Sequence, residues 1–452
     1  MGNRVSRRYF IMGTAAIAAG CASVKKPSVY APPRRVSAND KLNIAGVGVG
    51  GKGESDVEGA SQGNNIVALC DVDWKKADKS FKKFPNAKQY KDFREMLDKE
   101  HNNIDAVTIS TPDHMHAPIA VACMQMGKHV YVQKPLTHDI YEARRLKELA
   151  RKYKVATQMG NQGHSGAGVR RLKEWMEAGC IGNVTEVHIW TNRPIWPQGM
   201  TEYPAKEPIP DTLAWDLWLG TAPEHDYNHV IMPFAWRGWW DFGCGALGDM
   251  GCHIIDPAYT TLELGYPTSV EPTMIDGNTP VAGPVKSTLV YQFPARGKKP
   301  PVKVIWFDGK DNLPPRPKGV GADETLGDGN ENGSIFYGDK GVLTCGCYGD
   351  SPRLLPKEKM NDFKRPDRTI PNSVGHYKEW LNACKGIMPE KGNWTNNFDY
   401  AGPFAEVVLL GNLAIRAGKK IEYDSTAMKV TNLPEANQYL QRTYRKPYQD
   451  LA

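Results

Sequence analysis

The sequence predicts an α/β protein: a doubly wound parallel sheet followed by a second α/β unit whose strands look antiparallel. Three observations predict it. The apolar run from Leu42 to Val47 passes straight into Gly48-Val49-Gly50-Gly51-Lys52-Gly53, and then into a helix-compatible segment from Glu54 to Gln62. Strand-like and helix-like segments then alternate as far as Val132, the pattern of a parallel sheet with crossover helices. Beyond Gln158 the pattern changes to strands rich in Val, Ile, Trp and Thr, separated by long Pro/Gly-rich loops.

Length and charge bound the rest. At 452 residues, 40% hydrophobic and 24% charged, the chain exceeds one ordinary core and fits two domains. The formal charge of +7 comes from the N-terminus: residues 1–41 hold eight Lys/Arg and one Asp, leaving 49 basic and 49 acidic residues beyond them. A neutral body lacks the basic footprint of a nucleic-acid binder, and no later apolar run approaches the roughly 20 residues that span a bilayer.

The first residues read as an address. Ser6-Arg7-Arg8-Tyr9-Phe10-Ile11 and the weakly apolar stretch from Met12 to Ala19 form a twin-arginine export signal over 1–22. Ala18-Ala19-Gly20-Cys21 resembles a lipoprotein cleavage box with alanine in place of the usual leucine, so a lipid on Cys21 is the one membrane attachment expected of a periplasmic protein. Residues 23–40, with Pro32-Pro33, form an extended arm. Of nine cysteines, none forms a C-x-x-C pair, and Cys345/Cys347 are only a C-x-C; no structural zinc is expected.

Residues 41–158 read as a dinucleotide-binding domain. Gly48 allows the tight turn, Gly50 lets a pyrophosphate approach the backbone, and Gly53 permits close packing of helix on strand. The overlapping register Gly46-x-Gly48-x-x-Gly51 fits the pattern too, but interrupts the strand. The next strand, Asn65 to Cys70, ends in Asp71, 18 residues beyond Gly53, where an acid meets a ribose 2′-hydroxyl. That carboxylate favours NAD over NADP, with Lys75 and Lys76 as the counter-signal. A helix near Phe93–Lys99, a strand Ile104–Ser110, a helix near Pro118–Met126 and a strand His129–Val132 follow. Ser110 and Thr111-Pro112-Asp113-His114 then sit at the carboxyl edge of the sheet, where ligands of such folds bind. His114 and His116 read equally as residues capping the next helix. Gln133-Lys134-Pro135 reaches the same edge, with proline holding Lys134 in an extended or turn geometry.

These residues resemble the glucose-fructose oxidoreductase/inositol dehydrogenase (Gfo/Idh/MocA) superfamily. The similarity rests on the glycine motif, Cys70-Asp71-Val72-Asp73, Thr111-Pro112-Asp113-His114, Lys134-Pro135 and Asp249-Met250-Gly251-Cys252-His253. It runs from Leu42 to about Tyr448 and is nearest to an exported, twin-arginine branch. Landmarks of that branch are Asn161-Gln162-Gly163-His164, Trp239-Trp240-Asp241-Phe242-Gly243 and Pro434-Glu435-Ala436-Asn437-Gln438-Tyr439. The resemblance implies a Rossmann domain, then an α/β domain with a large, mainly antiparallel sheet, a sugar site between them, and a homo-oligomer formed through the open sheet. One position departs: the common motif is Glu-Lys-Pro, and Gln133 stands here. The neutral amide is expected to leave the Lys134 ammonium less stabilised.

In the second domain (159–372), strands are expected near Val184–Asn192, Thr288–Phe293 and Val302–Phe307, and helices near Gly168–Ala178 and Ile254–Leu264. Residues 373–452 return to helix, with Phe404–Leu413 strongly apolar, and pack back on the body. Asp249 and His253 share a helix face if Gly248 opens that helix. Oxidising a secondary alcohol requires a base for the hydroxyl proton as hydride leaves the same carbon. His253 has an unperturbed pKa suited to that role; Asp249 orients it or binds a hydroxyl, and Lys134 shares the proton or polarises the carbonyl. The resemblance makes these three the catalytic set. Asn161, Gln162, His164 and Arg193 suit a polyhydroxylated ligand, and Trp196 and Trp240, among Trp190, Trp236 and Trp239, offer faces for a sugar. His114/His116 and Asp249/His253/Asp256 lack convincing metal-ligand spacing.

The expectation is therefore an exported NAD-dependent enzyme that oxidises a sugar or glycoside hydroxyl to a keto-sugar with a tightly held, recycled cofactor. A glycosidase-like enzyme working by transient C3 oxidation and elimination is the alternative, and a non-catalytic sugar- or nucleotide-binding lipoprotein is the third.

Overall fold

β1 (Asn43–Val47) is the apolar run at the start of the folded body, buried from Ile44 onward, as a parallel strand covered on both faces must be. It belongs to a computed structural model that describes residues 32–329 and 331–451; the export signal with Cys21, and the arm up to residue 31, lie outside the described residues. β1 lies between β2 (Asn65–Cys70) and β4 (Ala106–Ile109). With β3 (Lys88–Tyr90), β5 (His129–Val132) and β6 (Thr157–Met159) these make a six-stranded sheet of order β3-β2-β1-β4-β5-β6, parallel throughout. The strand order reverses between β1 and β4, which opens a crevice at their carboxyl ends.

The crossovers are α1 (Lys52–Ser61), α2 (Trp74–Lys83), α3 (Phe93–Glu100), α4 (His116–Gln125) and α5 (Ile140–Tyr153). Asp73 and Asp92 cap α2 and α3 through backbone amides, and Asp139 with Glu142 forms a capping box on α5. α4 is buried nearly all round, so HAPIAVACMQ carries no helical stripe in its sequence. The boundary expected at 158 falls inside β6.

The second sheet has nine strands in the order β13-β12-β11-β7-β10-β9-β8-β14-β15. Its members are β7 (Val184–Thr191), β8 (Ser269–Asp276), β9 (Lys286–Phe293), β10 (Val302–Asp308), β11 (Asn332–Gly338), β12 (Gly341–Cys345), β13 (Arg353–Leu355), β14 (Ile421–Asp424) and β15 (Lys429–Val430). Only β7 and β10 pair in parallel; the rest are antiparallel. Burial alternates along β9 and β10, one face packed and the other half-open. The packed face meets α8 (Gly245–Leu262) and α10 (Phe398–Ala417). Glycine sets the spacing there: a Cβ on Gly411 would stand 2.0 Å from the Tyr291 hydroxyl oxygen. α8 begins at Gly245, three residues before the expected Gly248, so Asp249 and His253 lie one turn apart on a helix already under way.

α6 (Ala167–Glu177) packs on α8, α7 (Trp215–Leu219) lies in the loop region after β7, and α9 (His376–Cys384) returns to α1. That loop region carries its own core: Trp215, Trp218, Trp236, Trp239 and Phe242 bury one another. It docks beside the crevice, where the Trp74 amide donates to the Thr212 carbonyl at 3.2 Å and the Ala214 amide to the Val72 carbonyl at 2.9 Å. Among the described residues, no helix is long and apolar enough to cross a membrane.

Candidate active site

The glycine turn is built for close approach. Gly48 has φ +73°, and a Cβ there would stand 2.8 Å from the backbone of Ser110 and Thr111. A Cβ on Gly53 would stand 1.7 Å from the Gly48 carbonyl oxygen, and one on Gly50 2.6 Å from Lys76. Gly51 takes φ +60° immediately before α1, which has no side-chain cap; the Gly53 and Glu54 amides turn back onto the Gly50 and Gly51 carbonyls at 3.2 Å, which leaves the Lys52 amide at the helix start for an anion. At the end of β2 the Asp71 carboxylate accepts from the Val49 and Gly50 amides at 2.8 and 3.1 Å, and from the Asp73 amide at 2.9 Å. Burial raises its pKa against the pull of those amides.

Behind the turn, α1 contributes Asp56, fully buried. Its Oδ2 accepts from Ser110 Oγ at 2.7 Å and Gln133 Nε2 at 2.9 Å; its Oδ1 accepts from Lys52 Nζ at 2.5 Å and the Tyr377 hydroxyl at 2.7 Å. This adds a partner to Gln133 that the expectation, weighed only against Lys134, did not include. Its amide turns away from the Lys134 ammonium and donates to a carboxylate; a glutamate there would put two buried acids against each other. Lys134 finds its counter-charge elsewhere.

Lys134 precedes a cis peptide to Pro135. Its Nζ donates to Asp249 Oδ1 at 2.7 Å and to the Asp249 carbonyl at 3.1 Å. Arg237 Nε approaches the same Oδ1 at 3.4 Å, its guanidinium 4.3 Å from the Trp236 ring and 4.7 Å from the Phe234 ring. Burial alone would raise the Asp249 carboxyl, but Lys134 and Arg237 hold it below its ordinary value. One turn along α8, the His253 Nδ1–H donates to Asn161 Oδ1 at 3.1 Å, and the Tyr348 ring stands edge-on 5.2 Å away. That bond leaves Nε2 as the unprotonated nitrogen. Burial, reinforced by Lys134, pushes the imidazole down to about 3, well below the neutral value expected from sequence. His253 is therefore a neutral acceptor at any physiological pH. Asp113 moves the other way, pushed up to about 7 by burial.

The structure brings Gly48, Gly50, Gly51, Asp71, Ser110, Pro112, Lys134 and Asp249 around one cavity of about 390 Å³ at the crevice. Gly53 supports it from behind. His114 does not face it: Nδ1 and Nε2 stand 3.2 and 3.0 Å from the carbonyl oxygens of Phe242 and Trp218, tying the turn after β4 to the tryptophan-rich region. His116 is held likewise between the Pro135 and Thr111 carbonyls. Of the residues expected at a sugar, Asn161 meets His253, and Gln162 in its better amide orientation accepts from Lys52 Nζ at 3.2 Å. His164 donates from Nδ1 to buried Asp256 at 3.0 Å. Trp196 packs near Arg237 and Phe234, Arg193 bonds Asn192, and Trp240 lines a different cavity. Arg237, Asp56 and Tyr348 escaped sequence reasoning, and Lys52 and Asp113 were named only as members of their motifs. Arg237 stands within Trp236-Arg237-Gly238-Trp239-Trp240, a density of aromatic and cationic residues that offered a signal; Tyr348 offered none. Among the described residues, no group of three or more His, Cys, Asp or Glu is placed to hold a metal.

The cavity fits a dinucleotide on its own terms: glycines that let the turn pack directly on the neighbouring backbone, an uncapped helix start, and an acid at the end of β2. Two domain models of one family match the chain. "Oxidoreductase family, NAD-binding Rossmann fold" covers residues 41–161, and "Oxidoreductase family, C-terminal alpha/beta domain" covers 165–281, together more than half of it. A glycosyl hydrolase family 109 protein of Shewanella sp. (strain MR-4) is 28% identical over 173 residues, 33% of this chain and 37% of that one. Inositol 2-dehydrogenase of Salmonella typhimurium is 27% identical over 201 residues, 43% of this chain and 57% of that one. The chain thus spans between a third and three-fifths of the length of these relatives. Among solved structures, the WlbA dehydrogenase from Bordetella pertussis in complex with NADH and UDP-GlcNAcA superposes with a TM-score of 0.59 at 15% identity, covering 85% of this chain and 99% of that one. A levoglucosan dehydrogenase in complex with NADH gives 0.57 at 17% identity, covering 85% and 99%. These likenesses show the fold.

Proposed function

From a chain that belongs to the Gfo/Idh/MocA oxidoreductase family and carries its NAD-binding Rossmann domain, we propose an NAD-dependent enzyme that oxidises a secondary hydroxyl of a sugar or glycoside to a ketone. The observation that carries this reading is the Lys134–Asp249 ion pair at 2.7 Å, at the wall of the glycine-turn cavity, with His253 one turn further along α8. NAD, when bound, supplies the hydride acceptor. His253 Nε2, neutral and made a weak base by burial, takes the hydroxyl proton as hydride departs and the oxygen turns strongly acidic, its ring held by Asn161. The Lys134 ammonium stabilises charge developing on the substrate oxygen, and Asp249 fixes its direction. Arg237 shares Asp249 and closes that side of the site with Trp236 and Phe234.

The same reading takes the twin-arginine motif as an export route for a folded, cofactor-loaded protein, with Cys21 as a lipid anchor. NAD is scarce outside the cytoplasm, so the cofactor stays bound and is recycled. The half-open face of the nine-stranded sheet serves as the contact between copies. The kinship to a glycosyl hydrolase family 109 protein favours one second reading: oxidation at C3 acidifies the C2 proton, a base removes it and the C1 substituent leaves, then water adds at C1, C2 is reprotonated and the hydride returns to C3, so the cofactor ends in its original redox state.

The test is to denature the purified protein, identify the released nucleotide, and incubate native protein with a panel of glycosides. A keto-sugar with reduced cofactor supports oxidation. A released aglycone with no net change in NAD supports elimination. Neither product from any glycoside, on protein loaded with NAD, overturns both.

A further inference from the structure

Two motifs that the catalytic reading leaves unused, Trp239-Trp240-Asp241-Phe242-Gly243 and the segment ending in Gln438-Tyr439, meet in space. They line a cavity of about 320 Å³ between the start of α5, the turn leading into α8, the last turns of α10 and the C-terminal segment. It shares no lining residue with the glycine-turn cavity. Its size lies at the lower end of the range for small-molecule sites.

Arg416 distinguishes it from a packing gap. The guanidinium stands 4.3 Å from the Tyr439 ring and 5.6 Å from the Trp240 ring, and among the described residues no hydrogen-bond acceptor or carboxylate pairs with it. The nearby Asp241 carboxylate is taken by the Tyr203 hydroxyl at 2.7 Å and by His225 Nε2 at 2.9 Å. Burial lowers the Arg416 pKa, the direction expected of a desolvated cation. Arg416 is half-buried, so its guanidinium stays open to the cavity with its donors unspent. His138 lines the same cavity, its ring engaged with the Trp240 backbone.

We propose that this cavity binds a small hydroxylated carboxylate. A planar fork laid against aromatic rings matches a carboxylate bidentately, while Gln438 and Thr443 in the same wall offer polar groups to hydroxyls. A monoanion fits better than a phosphate. The other guanidinium in the wall, Arg442, is already spent on Glu142 at 2.7 Å, which leaves one cation to neutralise, and the Asp241 carboxylate, held ionised by His225 and Tyr203, repels a dianion. The site adjoins the catalytic helix: Asn412 Nδ2 donates to the Cys244 carbonyl at 2.8 Å, and Cys244 immediately precedes α8.

The test is calorimetric titration of the full, cofactor-loaded chain with gluconate, with glucose and inorganic phosphate as comparison probes. Gluconate binding one to one, with neither comparator binding, is the expected result. Arg416→Gln should weaken it by about tenfold or more, the worth of a charge-assisted pair, Arg416→Lys by less, and bound nucleotide should be unchanged in both. No gluconate binding, phosphate binding as tight as gluconate, or an unaltered affinity in Arg416→Gln would each overturn the proposal. If that variant does not fold, crystals of the unaltered protein with gluconate decide: a carboxylate on Arg416 supports the site, and gluconate found only at the glycine turn sinks it. None of these readouts depends on turnover, so the site and the oxidoreductase reading fail separately.

Discussion

Asp56 and Asp249 are each the fifth residue of a helix that follows a glycine turn, and each faces a lysine, yet the two carboxylates are used in opposite ways. Asp56 takes four donors, two on each oxygen. Asp249 crowds Lys134 and Arg237 onto Oδ1, while Oδ2 has no hydrogen-bond donor among the described residues. A buried acid with every lone pair met is scaffold, because moving any partner strands a charge. An acid with one oxygen open, beside an imidazole with a bare Nε2, can still accept a ligand's hydroxyl.

The largest effect should come from the open cluster. His253→Asn and Lys134→Met are each expected to cut turnover by about a hundred- to ten-thousand-fold, with the nucleotide content of the purified protein unchanged. Near-normal turnover in either would remove that residue from the chemistry. The closed cluster should respond in stability. Gln133→Glu sets a second carboxylate 2.9 Å from Asp56 Oδ2 and should cost about 3 kcal/mol in urea denaturation. The pair would hold a proton in the folded state, so this loss should deepen as pH rises and shrink in acid. Moving the charge, in Asp56→Asn with Gln133→Glu, should recover at least part of the loss, and strict additivity would show that the two positions are not coupled.

A smaller effect separates the clusters by pH. His253 is held at about 3 in the folded protein, below its unfolded value, so its share of stability is present above about pH 6.5 and is lost as pH falls toward 3. His253→Asn should flatten the acid side of the stability profile by one proton, about 1.4 kcal/mol per pH unit. An unchanged slope would mean that the ring is not buried as described. The smallest change is Arg237→Lys, which keeps the charge near Asp249 but loses the planar stacking on Trp236 and Phe234; about 1 kcal/mol of stability is at stake. A loss as large as that of Lys134→Met would move Arg237 into the reacting shell.

Much of the open cluster was legible because its parts lie on local patterns: a glycine turn after a strand, a lysine before proline at a sheet edge, an acid and an imidazole four residues apart. The closed cluster was not. Gln133 was read against Lys134, its neighbour in sequence, whereas its partner is Asp56, 77 residues away. Trp240 was grouped with the sugar-facing aromatics by composition, and the fold turns it toward Arg416 instead. β3, β13 and β15 are too short to show a period of two.

Alone, the sequence determined what local sterics and periodicity can determine: the parallel α/β half, the change to a second sheet, the turn that only glycine allows, and which side-chain types reach the sheet edge. The tertiary structure decided which charges face each other, how far burial moves their protons, and where the aromatic rings point. Those outcomes depend on distances between elements far apart in the chain and on the loss of water around them, and neither quantity is written in any local stretch of residues.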